Sequence, residues 1–223
     1  GVNIQWQNQT ILINKGAYKP EEIKVEPDWS AASYWFEIIS LIENAEIELD
    51  GLWQNSLQGD SVLTEIFERL GVTSTFNKTG IHIKNISAPC NYFEYDFTNC
   101  PDLAQTLAVT LVSKEIPFKL TGLDNLSIKE TDRIKALVDE FKKMDIHLKT
   151  NGKDCISWEG NETVKIPVNH CIKTYDDHRM AMAFAPLAIV TNGLIIDDPE
   201  VVKKSYPDFW DDLKAFGFGF TNL

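Results

Sequence analysis

Lys129, Glu130 and Arg133 place a cation, a carboxylate and a second cation within five residues. Apolar residues follow at helical spacing, Ile134, Leu137, Val138, Phe141 and Met144. The spacing predicts a helix headed by Glu130, with the charges in its first turn, where backbone N–H groups are free and the macrodipole is positive. An arginine there opposes the dipole, and an anionic ligand would supply the reason for it. The stretch from Tyr175 to Met182 has the same form, with Asp177, His178 and Arg179 ahead of an apolar run.

Other groups of the same kind stand before apolar runs: Asp28, Asp102, Asn125 and Lys204. Arginine matches a carboxylate in a planar, bidentate way, and lysine matches phosphate as a point charge. Carboxylates among such cations, here Asp102 and Glu130, can move protons. Each also has a plainer reading. Asp102 and Asp177 could be simple helix caps, Glu130 a complement to the dipole, Lys129 a solvated side chain, and His178 a satisfied core histidine. Their joint occurrence at matching places in the chain favours chemistry. There is no glycine-rich phosphate loop and no Gly-x-Ser-x-Gly, so neither a nucleotide fold of that type nor a serine hydrolase is supported.

The elements that must carry these residues alternate. Ile4, Trp6, Ile11 and Ile13 alternate as a strand, ended by a turn at Asn14–Gly16, and Glu22–Val25 reads as another short strand. Asp28 or Ser30 caps a helix running to about Ile42. A strand over Ala45–Leu52, a helix from Gly59–Asp60 to Gly71, and strands over Val72–Phe76 and Ile81–Ile86 follow. Pro101–Asp102 then heads an apolar helix, followed by a strand over Phe118–Leu123, the helix headed by Glu130, and strands over Ile146–Lys149 and Cys155–Glu159. Asp177 opens a third pass: a helix, a strand over Leu194–Asp197, a helix after Pro207–Asp208, and a last strand over Phe218–Thr221.

Asp28, Asp102 and Asp177 recur about 75 residues apart, as, roughly, do Asp60, Asp132 and Asp208. The expectation is an α/β (α+β) domain, pseudo-threefold, of three βαβαββ units with helices inside and sheets outside. Rotation would bring equivalent helix starts to one end, where several positive ends share an opening.

Composition narrows the partners. Apolar residues make up 43% and charged residues 24%, ordinary for a globular chain. A net charge of −12 argues against nucleic acid or an anionic membrane as partner. Cys90, Cys100, Cys155 and Cys171 are scattered without ligand spacing, so a zinc site is not supported and reduced thiols in a cytoplasmic protein are expected.

The motifs Ile128–Arg133 and Asp177–Met182 resemble those of the 5-enolpyruvylshikimate-3-phosphate (EPSP) synthase family. Asn55–Asp60 and Lys204–Asp208 also look like that family, in the same order. The sister family of UDP-N-acetylglucosamine enolpyruvyl transferases shares the fold but not the two charged motifs together. The resemblance implies two domains of three units each, with residues 26–223 as the C-terminal half and residues 1–25 as the tail of the other, missing N-terminal domain. It implies transfer of the enolpyruvyl group of phosphoenolpyruvate to the 5-hydroxyl of shikimate 3-phosphate through a tetrahedral intermediate, with no cofactor or metal. By motif, Arg133 and Arg179 would hold the phosphoenolpyruvate carboxylate, with Lys204 and His178 at its phosphate and reacting end. Asp102 and Asn125 would bind shikimate 3-phosphate, Asp102 taking the hydroxyl proton and Lys129 contacting the same region. Glu130 would exchange protons with the methylene carbon. Two departures stand out. Ser127 occupies a position where the family usually has a basic residue, and the family's N-terminal substrate-binding segments are absent. A chain of this kind is expected to be inactive alone. A non-catalytic anion-binding half-module, or a sister transferase acting on a nucleotide sugar, are the alternatives.

Overall fold

The computed structural model describes residues 2–162, 164–191 and 193–221. The second repeat is complete. Strand β6 (Phe93–Asp96) runs parallel to β7 (Phe118–Thr121), in register Phe93 with Phe118, and helix α3 (Ala104–Ser113) crosses between them. Helix α4 (Arg133–Lys143) follows, then β8 (Lys149–Thr150) and β9 (Ile156–Trp158), giving the sheet order β6-β7-β9-β8. The first repeat holds α1 (Trp29–Leu41), β3 (Glu46–Asp50), α2 (Leu63–Glu68), β4 (Val72–Phe76) and β5 (Gly80–Asn85), in an antiparallel sheet β3-β5-β4. The third holds parallel β10 (His170–Ile172) and β11 (Leu194–Ile196), with α5 (His178–Phe184) between them and α6 (Phe209–Phe216) after. Among the described residues the first repeat has no leading strand and the third no closing hairpin, so β3 and β11 each keep one unpaired edge.

Helices lie inside and sheets outside, as expected. Helix α1 is apolar nearly all round and buried along almost its whole length, and α3 is buried from Ala104 to Val112. Helix α3 packs on both α1 and α5. Small hydroxyl residues permit the close approach: Ser33 and Thr106 lie 3.0 Å apart across the α1–α3 contact, and Thr110 donates back to the Thr106 carbonyl at 2.8 Å. Helix α4 is amphipathic and presents Ile134, Leu137 and Phe141 to the core, where Phe141 meets Phe184 of α5 at 5.2 Å between ring centres.

Several local expectations change. The stretch Ile4–Ile13 is not one strand but a hairpin of β1 (Ile4–Gln7) and β2 (Thr10–Ile13), turning at Asn8 with a left-handed φ of 55°. All eight strand residues of this hairpin are exposed. Neither Glu22–Val25 nor Phe218–Thr221 forms a strand, because alternation alone makes no ladder without a neighbouring edge to bond. The strands β6 and β10 went unanticipated; both are short. Helix α4 starts at Arg133 with Asp132 as its cap, so Lys129 and Glu130 lie ahead of the helix rather than in its first turn. Among the described residues no helix is long and apolar enough to cross a membrane.

Candidate functional site

The helix starts do converge, and Arg133 stands at the meeting point. Asp132 accepts from the Lys135 backbone N–H at 3.0 Å and ends the preceding loop, which puts Arg133 at the first helical position facing inward. The residue is 1% exposed. Nε donates to Asp177 Oδ2 at 2.7 Å, Nη1 to Asp102 Oδ1 at 2.9 Å, and Nη2 to Glu130 Oε2 at 2.8 Å and Asp177 Oδ1 at 3.3 Å. One guanidinium thus joins residues from the segments that open α3, α4 and α5.

Asp177 is fully buried and has two tasks. It caps α5, accepting from the Arg179 backbone N–H at 2.9 Å, and it binds Arg133. Asp102 differs. It sits in the single 3-10 turn Pro101–Leu103 ahead of α3 and makes no capping hydrogen bond, so the plain-cap reading of this residue fails. Its carboxylate instead faces the cations: Arg133, Arg179 Nη2 at 3.1 Å, and Lys129 Nζ at 3.5 Å. Burial pushes Asp102 up, but Arg179, Lys129 and Arg133 more than offset it and leave its carboxyl below the usual range.

Glu130 lies on the outer side of the hub. Lys204, from the 3-10 helix Pro199–Lys204 in the third repeat, donates to its Oε1 at 2.5 Å. That hydrogen bond is the main reason Glu130 is lowered to about 2. His178 is 5% exposed, its Nδ1 lies 3.8 Å from Asp177 Oδ1, and that nitrogen has no hydrogen-bond partner. Burial, then the Arg179 charge, pushes His178 down and favours the neutral ring.

Asn125 does not join the network. It lies exposed on the 3-10 helix Asp124–Ile128, and Ser127 of the same turn donates to the Asp124 carbonyl at 3.2 Å. The directly bonded cluster therefore holds four cations, Lys129, Arg133, Arg179 and Lys204, and three carboxylates, Asp102, Glu130 and Asp177. It carries an excess of positive charge beside the free N–H groups of several helix starts, an arrangement that suits anions.

Residues from the first repeat border this cluster. Asp28 caps α1, accepting from the Ser30 backbone N–H at 2.8 Å, and the Ser30 hydroxyl donates to Asp60. Burial, and the nearby Asp102 and Asp28 charges, raise Asp60 above the usual range. Tyr34 of α1 is buried near Arg179, and burial pushes its phenol up to about 12. Tyr34 had no signal in the sequence beyond its place on an apolar helix. Asp60 had one, its recurrence with Asp132 and Asp208.

Two consecutive residues before Asp177 occupy the left-handed region, Tyr175 with φ 56° and Asp176 with φ 57°. Neither is glycine, so each costs about 1–3 kcal/mol and persists because its surroundings hold it there. The Asp177 backbone N–H donates to the Thr174 carbonyl at 3.0 Å and closes this turn.

Comparison with known proteins points one way. The family described as EPSP synthase (3-phosphoshikimate 1-carboxyvinyltransferase) matches residues 1–213. A 3-phosphoshikimate 1-carboxyvinyltransferase of Bacteroides fragilis is 47% identical over 220 residues, 98% of this chain and 53% of that protein. One from Idiomarina loihiensis is 33% identical over 198 residues, 86% of this chain and 44% of that protein. Among solved structures, an EPSP synthase from Acinetobacter baumannii superposes with a TM-score of 0.74 at 22% identity, over 96% of this chain and 52% of that one; this likeness speaks to the fold. The chain spans about half the length of the curated relatives it matches.

Proposed function

The chain belongs to the EPSP synthase family, and from that premise we propose that residues 26–223 form one wall of a site that transfers the enolpyruvyl group of phosphoenolpyruvate to shikimate 3-phosphate. The observation that carries this reading is the single buried guanidinium of Arg133, bonded at once to Asp102, Glu130 and Asp177. It gathers acid, base and cations from separate helix starts, which is what addition of a hydroxyl across a carbon–carbon double bond needs.

In the proposed chemistry the substrate carboxylate exchanges for protein carboxylates on Arg133 and Arg179, and the phosphate draws on Lys204 with His178 beside it. Asp102 takes the 5-hydroxyl proton as the oxygen bonds to the central carbon of phosphoenolpyruvate. Glu130 gives a proton to the methylene carbon, then removes one as phosphate leaves, and the hydroxyl proton held by Asp102 departs with the phosphate, so protons balance over the two steps. Lys129 contacts the hydroxyl region, and Asn125 contributes to binding shikimate 3-phosphate. Lys204 has a second task here. While it holds Glu130 at about 2, Glu130 is ionised and cannot donate. A phosphate that pulls Lys204 away lets Glu130 rise and carry a proton. No cofactor takes part, and the compartment of this reading is the cytoplasm.

The second wall comes from the N-terminal half found in longer family members, residues 1–25 being the tail that leads from it; the exposed hairpin β1–β2 suits such a connection. The test is phosphate release from shikimate 3-phosphate plus phosphoenolpyruvate. It is measured with this chain alone and with the N-terminal half of the Bacteroides fragilis relative added. Release only on addition supports the transferase reading. No release from either, with the added half folded and phosphoenolpyruvate still bound by this chain, would favour an anion-binding module instead.

A further inference from the structure

Helix α4 grips the segment 173–179 at two places. Arg133, at its start, holds Asp177. Glu140 lies seven residues on, two helical turns along the same side, and its side chain is fully buried. Glu140 Oε1 accepts from the Tyr175 hydroxyl at 2.6 Å and from Lys143 Nζ at 2.6 Å, and Oε2 accepts from the Lys173 backbone N–H at 3.2 Å. Lys143 by itself would neutralise the carboxylate. The other two bonds go to the loop, one on each side of Thr174, and one of them holds Tyr175 itself, the first residue of the left-handed pair.

We propose that Glu140 is a positioning residue: by clasping Tyr175 and Lys173 it holds the turn at Tyr175–Asp176 and so sets where Asp177, His178 and Arg179 stand against Arg133. Burying a carboxylate without partners is costly, and for Glu140 the partners on both oxygens include atoms of the loop that delivers the site. Two left-handed residues in succession need an outside constraint, and the Glu140–Tyr175 bond is one. The bond acts on the site through the backbone of Asp176, because among the described residues Glu140 makes no hydrogen bond or ion pair to Asp102, Glu130, Asp177 or Arg179.

The inference rests on the reading of Asp177–Arg179 as site residues, and its test is read in two independent ways. Tyr175→Phe and Glu140→Gln are made in the full chain, together with the double variant and a Lys143→Gln control. The first readout is the side-chain Nε–H signal of Arg133 by NMR, which reports its bond to Asp177. The second is phosphoenolpyruvate binding by calorimetry. Positioning predicts that Tyr175→Phe displaces the Arg133 signal and weakens binding about tenfold, the order of magnitude of one hydrogen bond. It also predicts that the double variant is little worse than Glu140→Gln, and that Lys143→Gln leaves the signal in place. Tyr175→Phe keeps the ring and provides the test if Glu140→Gln fails to fold. A lowered melting temperature with an unmoved Arg133 signal would overturn the proposal and leave Glu140 a purely structural ion-pair partner. Failure of the unaltered chain to bind phosphoenolpyruvate would count against the proposed function, while the Arg133 signal would still decide the positioning role.

Discussion

Lys204 donates to Glu130 at 2.5 Å across a sequence separation of 74 residues, tying the third repeat to the loop that precedes α4. The bond is the largest single cause of the low Glu130 pKa of about 2. It makes the protonation of one residue depend on where the other points.

Removing that ammonium should release Glu130. In Lys204→Gln the Glu130 carboxyl is expected to titrate well above about 2, nearer the ordinary 4.5, with Arg133 still holding it somewhat low. Carboxyl-carbon NMR titration reads this directly. A midpoint unchanged from the parent chain would mean that Lys204 is not what holds Glu130 down.

Acid should weaken the fold through the same group. The folded pKa of Glu130 is depressed, so its contribution is complete above the ordinary value of 4.5 and is lost as pH falls toward about 2. Asp102, also depressed, acts with the same sign. Urea unfolding followed from pH 6 down to about pH 3 should show falling stability. Glu130→Gln should flatten part of the slope. An identical slope in the variant would remove Glu130 from the account.

Arg133→Met should be strongly destabilising. It leaves Asp177 buried without its cation, and breaking a buried pair by deleting one partner costs roughly 3–5 kcal/mol. Asp102 and Glu130 are partly exposed and can turn to water, so most of the loss should trace to Asp177. The double variant Arg133→Met, Asp177→Asn should recover part of it. A loss below about 1 kcal/mol would place the pair among weak surface bridges instead.

For turnover, Glu130→Gln is the sharpest change. With the second half of the site supplied, it is expected to bind both substrates nearly as well as the parent and to lose most phosphate release, because the amide keeps the shape but cannot shuttle a proton. Undiminished turnover would rule out Glu130 as the proton carrier.

The sequence by itself determined the repeat and the α/β alternation, and it offered Asp28, with Ser30 as the other choice, and Asp177 as caps, because a capping side chain and an apolar helical period are local signals read within a few residues. It also picked out the charged residues that meet, since equivalent positions in a rotated repeat share one end of the domain, while the uncharged Asn125 stays outside the bonded cluster. The tertiary structure decided what each of them does. Asp102 looked like a cap and is instead a partner of Arg133 and Arg179, groups 31 and 77 residues away. Glu130 looked like the head of a helix and is held by Lys204 from another repeat. Strand pairing was decided at the same level: Glu22–Val25 alternates as well as β6 does, but only β6 found an edge to bond. A hydrogen bond between distant residues depends on packing that no short window contains, and pairing and pKa shifts follow the bond rather than the residue.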